Sequence, residues 1–388
     1  MRIREFARHS VEVTEPLVVN AYVKEKEYMC SLDTDKLLAG FRETAGIPND
    51  AEKYSGGWEN EEYCGHTLGH YMVAMAQIYA KERSGEIKER LEYVLSVLSR
   101  CQSENGYLFT FPEEVFDKLE NGQPYKSWYI MHKLVTGLIA AYKLAGMDQA
   151  LSIVKNLGEW IVARVQKWTD RELRRVLSIA DGGMNDCLYE MYKITGDERY
   201  AEAAEKFDET DLFTQLSVGK NVLANKQASD TIPKILGALN RYMAFGESEV
   251  RSFEIAKNFF DMVTEGHTYV TGGNGEMMYF CEPGALAAGR NQYNSETCSV
   301  RSMMKLAAGL YSVTGDKKYM DYYERAYFNA MLGAQNPEDG MATFFQPMAT
   351  GYFKTFSTPD SKFWCCTGAG MELFTDLSSG IYHAIGGI

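Results

Sequence analysis

The sequence is poor in proline, histidine and basic charge, and it has no long apolar run. Nine prolines in 388 residues leave room for long helices, because an interior proline removes a helix hydrogen bond. Forty Lys and Arg against 53 Asp and Glu give a net charge of −13. That balance argues against a nucleic-acid backbone or an anionic membrane surface as partner. The longest apolar stretches, such as Val135–Ala141, fall far short of the ~20 residues of a spanning helix. The N-terminal MRIREFARHSVEVTEPLVV lacks the apolar core of a secretory signal. Eight cysteines in a chain this size do not make a disulfide scaffold. These absences point to a soluble, cytoplasmic protein whose thiols stay free, bind metal or react. With 45% apolar and 24% charged residues, the composition is that of a packed globule and not of a disordered chain.

What is there is helical. Glu86–Ser99 puts Ile87, Leu91, Val94, Leu95 and Leu98 on one face and Lys88, Glu89 and Arg90 on the other. Several such runs end on one cue: tyrosine, three residues, glycine. It occurs at Tyr142–Gly146, Tyr192–Gly196, Tyr242–Gly246, Tyr311–Gly315 and Tyr382–Gly386, with a looser copy at Tyr79–Gly85. Glycine suits the left-handed position that ends a helix. With 25 Tyr and 34 Gly, about two matches arise by chance, and Tyr269–Gly273 reads as one. Context separates the rest. Each ends a run of small and apolar residues, and all but the last meet a charged amphipathic run next. The tyrosines lie 63, 50, 50, 69 and 71 residues apart, which is two helices plus connections.

This spacing predicts six helical hairpins in one domain over residues 1–388, an all-α (α/α)6 barrel. Its inner ring is made of the small-residue helices. A helix near Pro16–Phe41 is expected as the outer partner of the sixth unit. An open α-solenoid builds from similar pairs, but irregular spacing and long connections favour closure. Those connections, about Glu104–Lys126, Thr264–Asn294 and Asn336–Trp364, are long enough to expect function in them.

Candidate polar residues fall on one side of the markers. His66 and His70 precede Tyr79, and His132 precedes Tyr142. Asn185 and Asp186 precede Tyr192, Glu296 and Cys298 precede Tyr311, and Cys365 and Cys366 precede Tyr382. In parallel inner helices these groups gather at the rim of helix N-termini, where thiolates and carboxylates are favoured. Glu296, Cys298, Cys365 and Cys366 make three thiolates and a carboxylate, a tetrahedral set that suits Zn2+. Burial as small apolar residues is the commoner fate of free cysteine, and Cys30, Cys64, Cys101, Cys187 and Cys281 are expected in the core. His66 and His70 stand i, i+4 on one face with no third ligand beside them, so a substrate-facing role fits better than metal. Trp58 and Trp364 could stack on a sugar ring or pack in the core. Glu276, in the glycine-rich TGGNGEMMY, reads on its own as a solvated glutamate.

GGWENEEYCGHTLGHYMVAMAQIYA, WYIMHKLVTGLIAAYKLAG, GGMNDCLYEMYKITGDERY, NSETC and FWCCTGAGME resemble glycoside hydrolase family 127 and its relative, family 146. The similarity runs in order from about residue 10 to residue 384. The resemblance implies a retaining β-L-arabinofuranosidase with an (α/α)6 barrel and one zinc, acting on an oligosaccharide or glycoside. By matching motif, Cys365 would be the nucleophile and Glu296, Cys298, Cys365 and Cys366 the zinc ligands. Glu276 after Gly275 would be the acid/base, with Glu282 the nearby rival. His66 and His132 would contact sugar hydroxyls, with His70 and Trp58 beside them. Two departures stand out. Leu223 falls where relatives carry a histidine, with extra residues before Ile232. Relatives also continue into β-sandwich domains, whereas this chain stops at Ile388, as if cut at the barrel's edge. Two other readings stay open: another (α/α)6 carbohydrate enzyme, such as an unsaturated glucuronyl hydrolase or sugar epimerase, and a non-catalytic sugar-binding module with structural zinc.

Overall fold

A computed structural model describes residues 3–54, 56–59, 63–179 and 182–386. In chain order its helices are α1 (Pro16–Ser31), α2 (Thr34–Thr44), α3 (His66–Glu82), α4 (Gly85–Cys101), α5 (Glu114–Glu120), α6 (Ser127–Ala145), α7 (Asp148–Val165), α8 (Asp170–Leu177), α9 (Met184–Thr195), α10 (Glu198–Glu205), α11 (Thr210–Ser217), α12 (Ala228–Phe245), α13 (Val250–Gly266), α14 (Thr297–Thr314), α15 (Lys317–Ala326) and α16 (Cys365–Phe374). Helices α3, α6, α9, α12, α14 and α16 pack in that order, and α16 returns to α3. The ring is therefore closed, and the solenoid reading falls. Each of α4, α7, α10, α13 and α15 packs outside the inner helix before it.

Sequence explains the two layers. Helix α3 is apolar or small on nearly every face and is buried almost throughout, as a helix between two layers must be. Outer α15 buries only Tyr319, Tyr322 and Ala326. Helices α3 and α6 meet at glycines: a Cβ on Gly137 would lie 2.7 Å from the Gly69 carbonyl oxygen. The tyrosine–glycine cue also has a physical basis. The amides of Gly146, Gly196 and Gly315 donate to the carbonyls of Tyr142, Tyr192 and Tyr311 at 2.8–2.9 Å, and all three glycines have φ near +70°. This is the αL helix stop.

Two expectations are corrected. The outer partner of the sixth unit is two helices, broken where Leu32 goes extended and Asp33 caps α2; α1 packs against α16. The Tyr382 marker ends no helix, because α16 stops at Phe374. Instead β1 (Ile3–Glu5) pairs antiparallel with β2 (His383–Ile385), and the Phe6 amide donates to the Tyr382 carbonyl at 3.1 Å. Strand pairing at the chain ends takes the hydrogen bond a helix stop would have used. Tyr269–Gly273 is a loop turn, as expected. Among the described residues no helix is long and apolar enough to cross a membrane.

Candidate metal centre and active site

The inner ring brings two adjacent helix N-termini together. Glu296 is the N-cap of α14 and Cys298 lies in its first turn; Cys365 and Cys366 open α16. Cys298 Sγ stands 3.3 Å from Cys366 Sγ, and Cys365 Sγ is 3.9 Å from Cys366 Sγ. Glu296 Oε1 lies 3.8 Å from Cys365 Sγ and 3.9 Å from Cys366 Sγ. All four donors fall within 4.8 Å of one another. With metal–sulfur bonds of about 2.3 Å, a tetrahedral site has donor–donor edges of roughly 3.8 Å. The cluster fits a tetrahedral cation of borderline softness.

The electrostatics say the same. Burial pushes the Glu296 carboxyl up to about 8, helped by the Cys298 charge. Burial also raises the Cys365 and Cys366 thiols, next to Cys298. Cys298 is held down despite its own burial, by hydrogen bonds from the other two thiols and by Lys133 and Arg301. Four acids this close cannot ionise together without a cation among them. Cys30 and Cys281 are half-buried and Cys64, Cys101 and Cys187 buried, away from any such group.

Loops complete the rim. Thr297 donates through its amide to the Phe344 carbonyl (3.2 Å) and through its hydroxyl to Thr343 (2.8 Å). The loop before α16 is thereby fixed to the start of α14. Glu276 begins a tight hairpin: its amide donates to the Tyr279 carbonyl and the Tyr279 amide to its own, both at 2.8 Å. The turn residues between, Met277 and Met278, have φ of 47° and 74°, the pattern of a type I′ turn, which normally takes Asn-Gly. Two methionines there store backbone strain, a feature concentrated at functional sites. Glu276 is bridged to Asn294, two residues before Glu296. Asn291 Nδ2 donates to its Oε1 at 2.5 Å. The rival Glu282 is exposed.

His66 and His132 are buried, each with a ring nitrogen lacking a partner: His66 Nε2 and His132 Nδ1. His66 Nδ1 is held by the Tyr63 carbonyl (2.9 Å) and the Glu59 carboxylate (3.1 Å). His70 is tied through Nδ1 to Glu372, which also pairs with Arg301, and its ring packs on Gly368 of α16. Burial lowers the pKa of both His70 and His132, so both rings are neutral. Trp58 is half-buried and stacks on Tyr63 at 4.4 Å, with Phe344 linking it to Trp364. Leu223 is fully buried in the core. Sequence reasoning missed Tyr129, whose buried hydroxyl lacks a partner and whose pKa is raised by burial and then by the three thiols. It also missed Lys133, Arg301 and Asn291. Tyr129 lies one helical turn before His132 and Arg301 one turn after Cys298, and that spacing was the available signal.

Residues 10–379 match the family described as β-L-arabinofuranosidase, GH127 catalytic domain. No curated protein matches the chain significantly. Among solved structures, a GH127 β-L-arabinofuranosidase from Geobacillus stearothermophilus T6 shares 16% identity at a TM-score of 0.73, over 95% of this chain and 65% of that one. A second GH127 β-arabinofuranosidase shares 18% at 0.78, over 98% and 62%. This chain thus spans just under two thirds of their lengths. An unsaturated glucuronyl hydrolase specific for heparin shares 10% at 0.55, over 93% and 95%. At these identities the structures support the helical-barrel fold alone.

Proposed function

Because the chain belongs to the β-L-arabinofuranosidase GH127 catalytic-domain family, we propose that it is a retaining glycoside hydrolase releasing β-L-arabinofuranose from a glycan or glycoside. We read residues 1–388 as one catalytic barrel of a reducing, cytoplasmic setting. The observation that carries the proposal is the four-donor cluster at the N-termini of α14 and α16, beside the strained Glu276 hairpin. Glu296, Cys298, Cys365 and Cys366 would hold Zn2+, which when bound keeps its thiols deprotonated at neutral pH.

The residues then divide the work. Cys365 sulfur attacks the anomeric carbon, and the bond to the glycosidic oxygen breaks. Glu276 gives its proton to that oxygen, and the product is an S-glycosyl cysteine. The Glu276 carboxylate next takes a proton from water, whose oxygen attacks the anomeric carbon. The carbon–sulfur bond breaks and Cys365 leaves as thiolate. Two inversions retain configuration. His66 Nε2, His132 Nδ1 and the Tyr129 hydroxyl, buried with hydrogen-bonding capacity to spare, face sugar hydroxyls. Trp58 offers an apolar plate, and His70 acts at the same face while holding α16 through Glu372.

Hydrolysis of p-nitrophenyl β-L-arabinofuranoside, read beside metal content, tests this. Wild type should turn over with one zinc per chain. Cys365→Ser and Glu276→Gln should each lose at least about a hundredfold in kcat, and Glu282→Gln should not. A Cys365→Ser variant at the wild-type rate refutes the nucleophile. A zinc-loaded wild type inert on a panel of furanosides and pyranosides makes the chain a binding module.

A further inference from the structure

The barrel axis holds a cavity of about 520 Å3, within the ~300–1,000 Å3 usual for small-molecule sites. It runs from Arg301 and Asp186, about one turn in from the starts of α14 and α9, toward the C-terminal ends of the inner helices; its lining includes Thr136 of α6, Glu190 of α9 and Lys305 of α14 and none of the three clustered thiols. Its ionised groups are largely matched. Arg8 pairs with Asp376 at 2.5 Å, Glu190 lies between Lys143 and Lys193, and Arg301 pairs with Glu372. Asp186 accepts from the Asn240 amide at 3.2 Å.

Lys305 is the exception. It lines the cavity, its side chain is accessible there, and among the described residues it has no hydrogen-bond or ion-pair partner. It sits one turn beyond Arg301 on the same face of α14; Arg301 and Lys133 oppose its charge, and the Asp186 and Glu190 carboxylates favour it without bonding to it directly. Burial and then Arg301 bring its ammonium down to about 8, so it is still charged at neutral pH. An accessible ammonium with no direct partner on the wall is free to donate charge-assisted hydrogen bonds to an anion that enters the cavity.

We propose that this axial cavity is a second binding site, distinct from the thiol rim, for a small organic anion of sugar size whose carboxylate or phosphate pairs with Lys305. The two sources share anionic oxygens, and the experiment separates them. The site needs no assumption about the hydrolytic reaction, and its test reads binding alone.

Isothermal titration of the whole chain at pH 7 with inorganic phosphate, with D-glucuronate and with neutral D-glucose tests it. Wild type should bind at least one of the anions saturably and the neutral sugar at least tenfold more weakly. Lys305→Met should weaken the anion by about tenfold or more, the scale of a charge-assisted hydrogen bond, with metal content unchanged. Lys305→Gln gives the same reading if the methionine variant does not fold, and Lys305→Arg should keep most of the affinity. Failure of both anions to bind overturns the proposal. Equal affinity in the Met or Gln variant, or glucose binding as well as the anions, also overturns it.

Discussion

Replacing Cys366 with serine removes one donor of the four-donor cluster and leaves Cys365, Glu276, His66 and His132 in place. Four-donor zinc sites hold their ion with about 10–16 kcal/mol at neutral pH. One donor of four is then worth about 3 kcal/mol, or roughly two orders of magnitude in affinity. The geometry puts Cys366 on three edges of the cluster, 3.3 Å from Cys298 and 3.9 Å from both Cys365 and Glu296. The group contains no fifth donor to replace it. Burial, and then Cys298, raise the Cys366 thiol, so loading must displace protons and affinity must fall as pH falls. Competition with a fluorescent chelator at pH 7 and pH 6, with metal content after gel filtration, reads both effects. Wild type should bind more weakly at the lower pH, and Cys366→Ser should bind about a hundredfold more weakly than wild type at pH 7. A serine variant that keeps one equivalent at wild-type affinity would refute the four-donor reading. So would a wild type whose affinity is the same at both pH values.

Two further outcomes follow from the packing. Gly137→Ala should destabilise the chain by about 1–3 kcal/mol in denaturant titration, despite the ~1 kcal/mol helix-propensity gain. The new methyl meets the Gly69 backbone carbonyl, which cannot swing aside; unchanged or increased stability would show that α3 and α6 are not in this close contact. Glu25 is buried, meets Gln335 Nε2 at 3.0 Å and is raised by burial to about 8. The native state therefore keeps a proton that the unfolded chain releases near pH 4.5. Stability should fall as pH rises from about 4.5 toward 8, and Glu25→Gln should remove about 4–5 kcal/mol of that fall. Parallel stability–pH curves for the two proteins would contradict this.

The barrel was legible because its stop signal is local. A glycine amide bonding to the tyrosine carbonyl four residues back needs only one turn of chain, so sequence carries it intact. The four-donor cluster was legible because Glu296–Cys298 and Cys365–Cys366 each occupy a single helical turn, and only the pairing of the two turns required the fold. Failures came where long-range contacts decide. Tyr382 has the helix-stop spacing, yet pairing with the N-terminal segment claims its carbonyl. Nothing near Pro16–Phe41 marks the break at Leu32 except Asp33, a cap visible only once α2 is known to start there. Glu276 looked bland because its distinction is a backbone conformation at Met277 and Met278, which composition does not encode. Asn291 is fifteen residues from the carboxylate it holds, so only the closed loop reveals it.

The placement of Lys133 and Arg301 follows from the charge of the cluster itself. A dication held there by three thiolates and a carboxylate would carry two net negative charges, which the interior would have to balance. The N-termini of α14 and α16 supply partial positive charge, but less than two full units. Lys133 and Arg301 both feel the Cys298 charge as stabilising, although burial lowers the first to about 8 and the second to about 10. Arg301 is partly spent on Glu372, and Lys133 has the Tyr129 ring 5.0 Å away as its further support. Each cation would be costly without the thiolates, and the thiolates could not ionise together without positive charge nearby. The cations and the donor cluster therefore form one electrostatic unit, and with the cluster empty and its thiols protonated Lys133 and Arg301 should be among the least stable charges in the barrel.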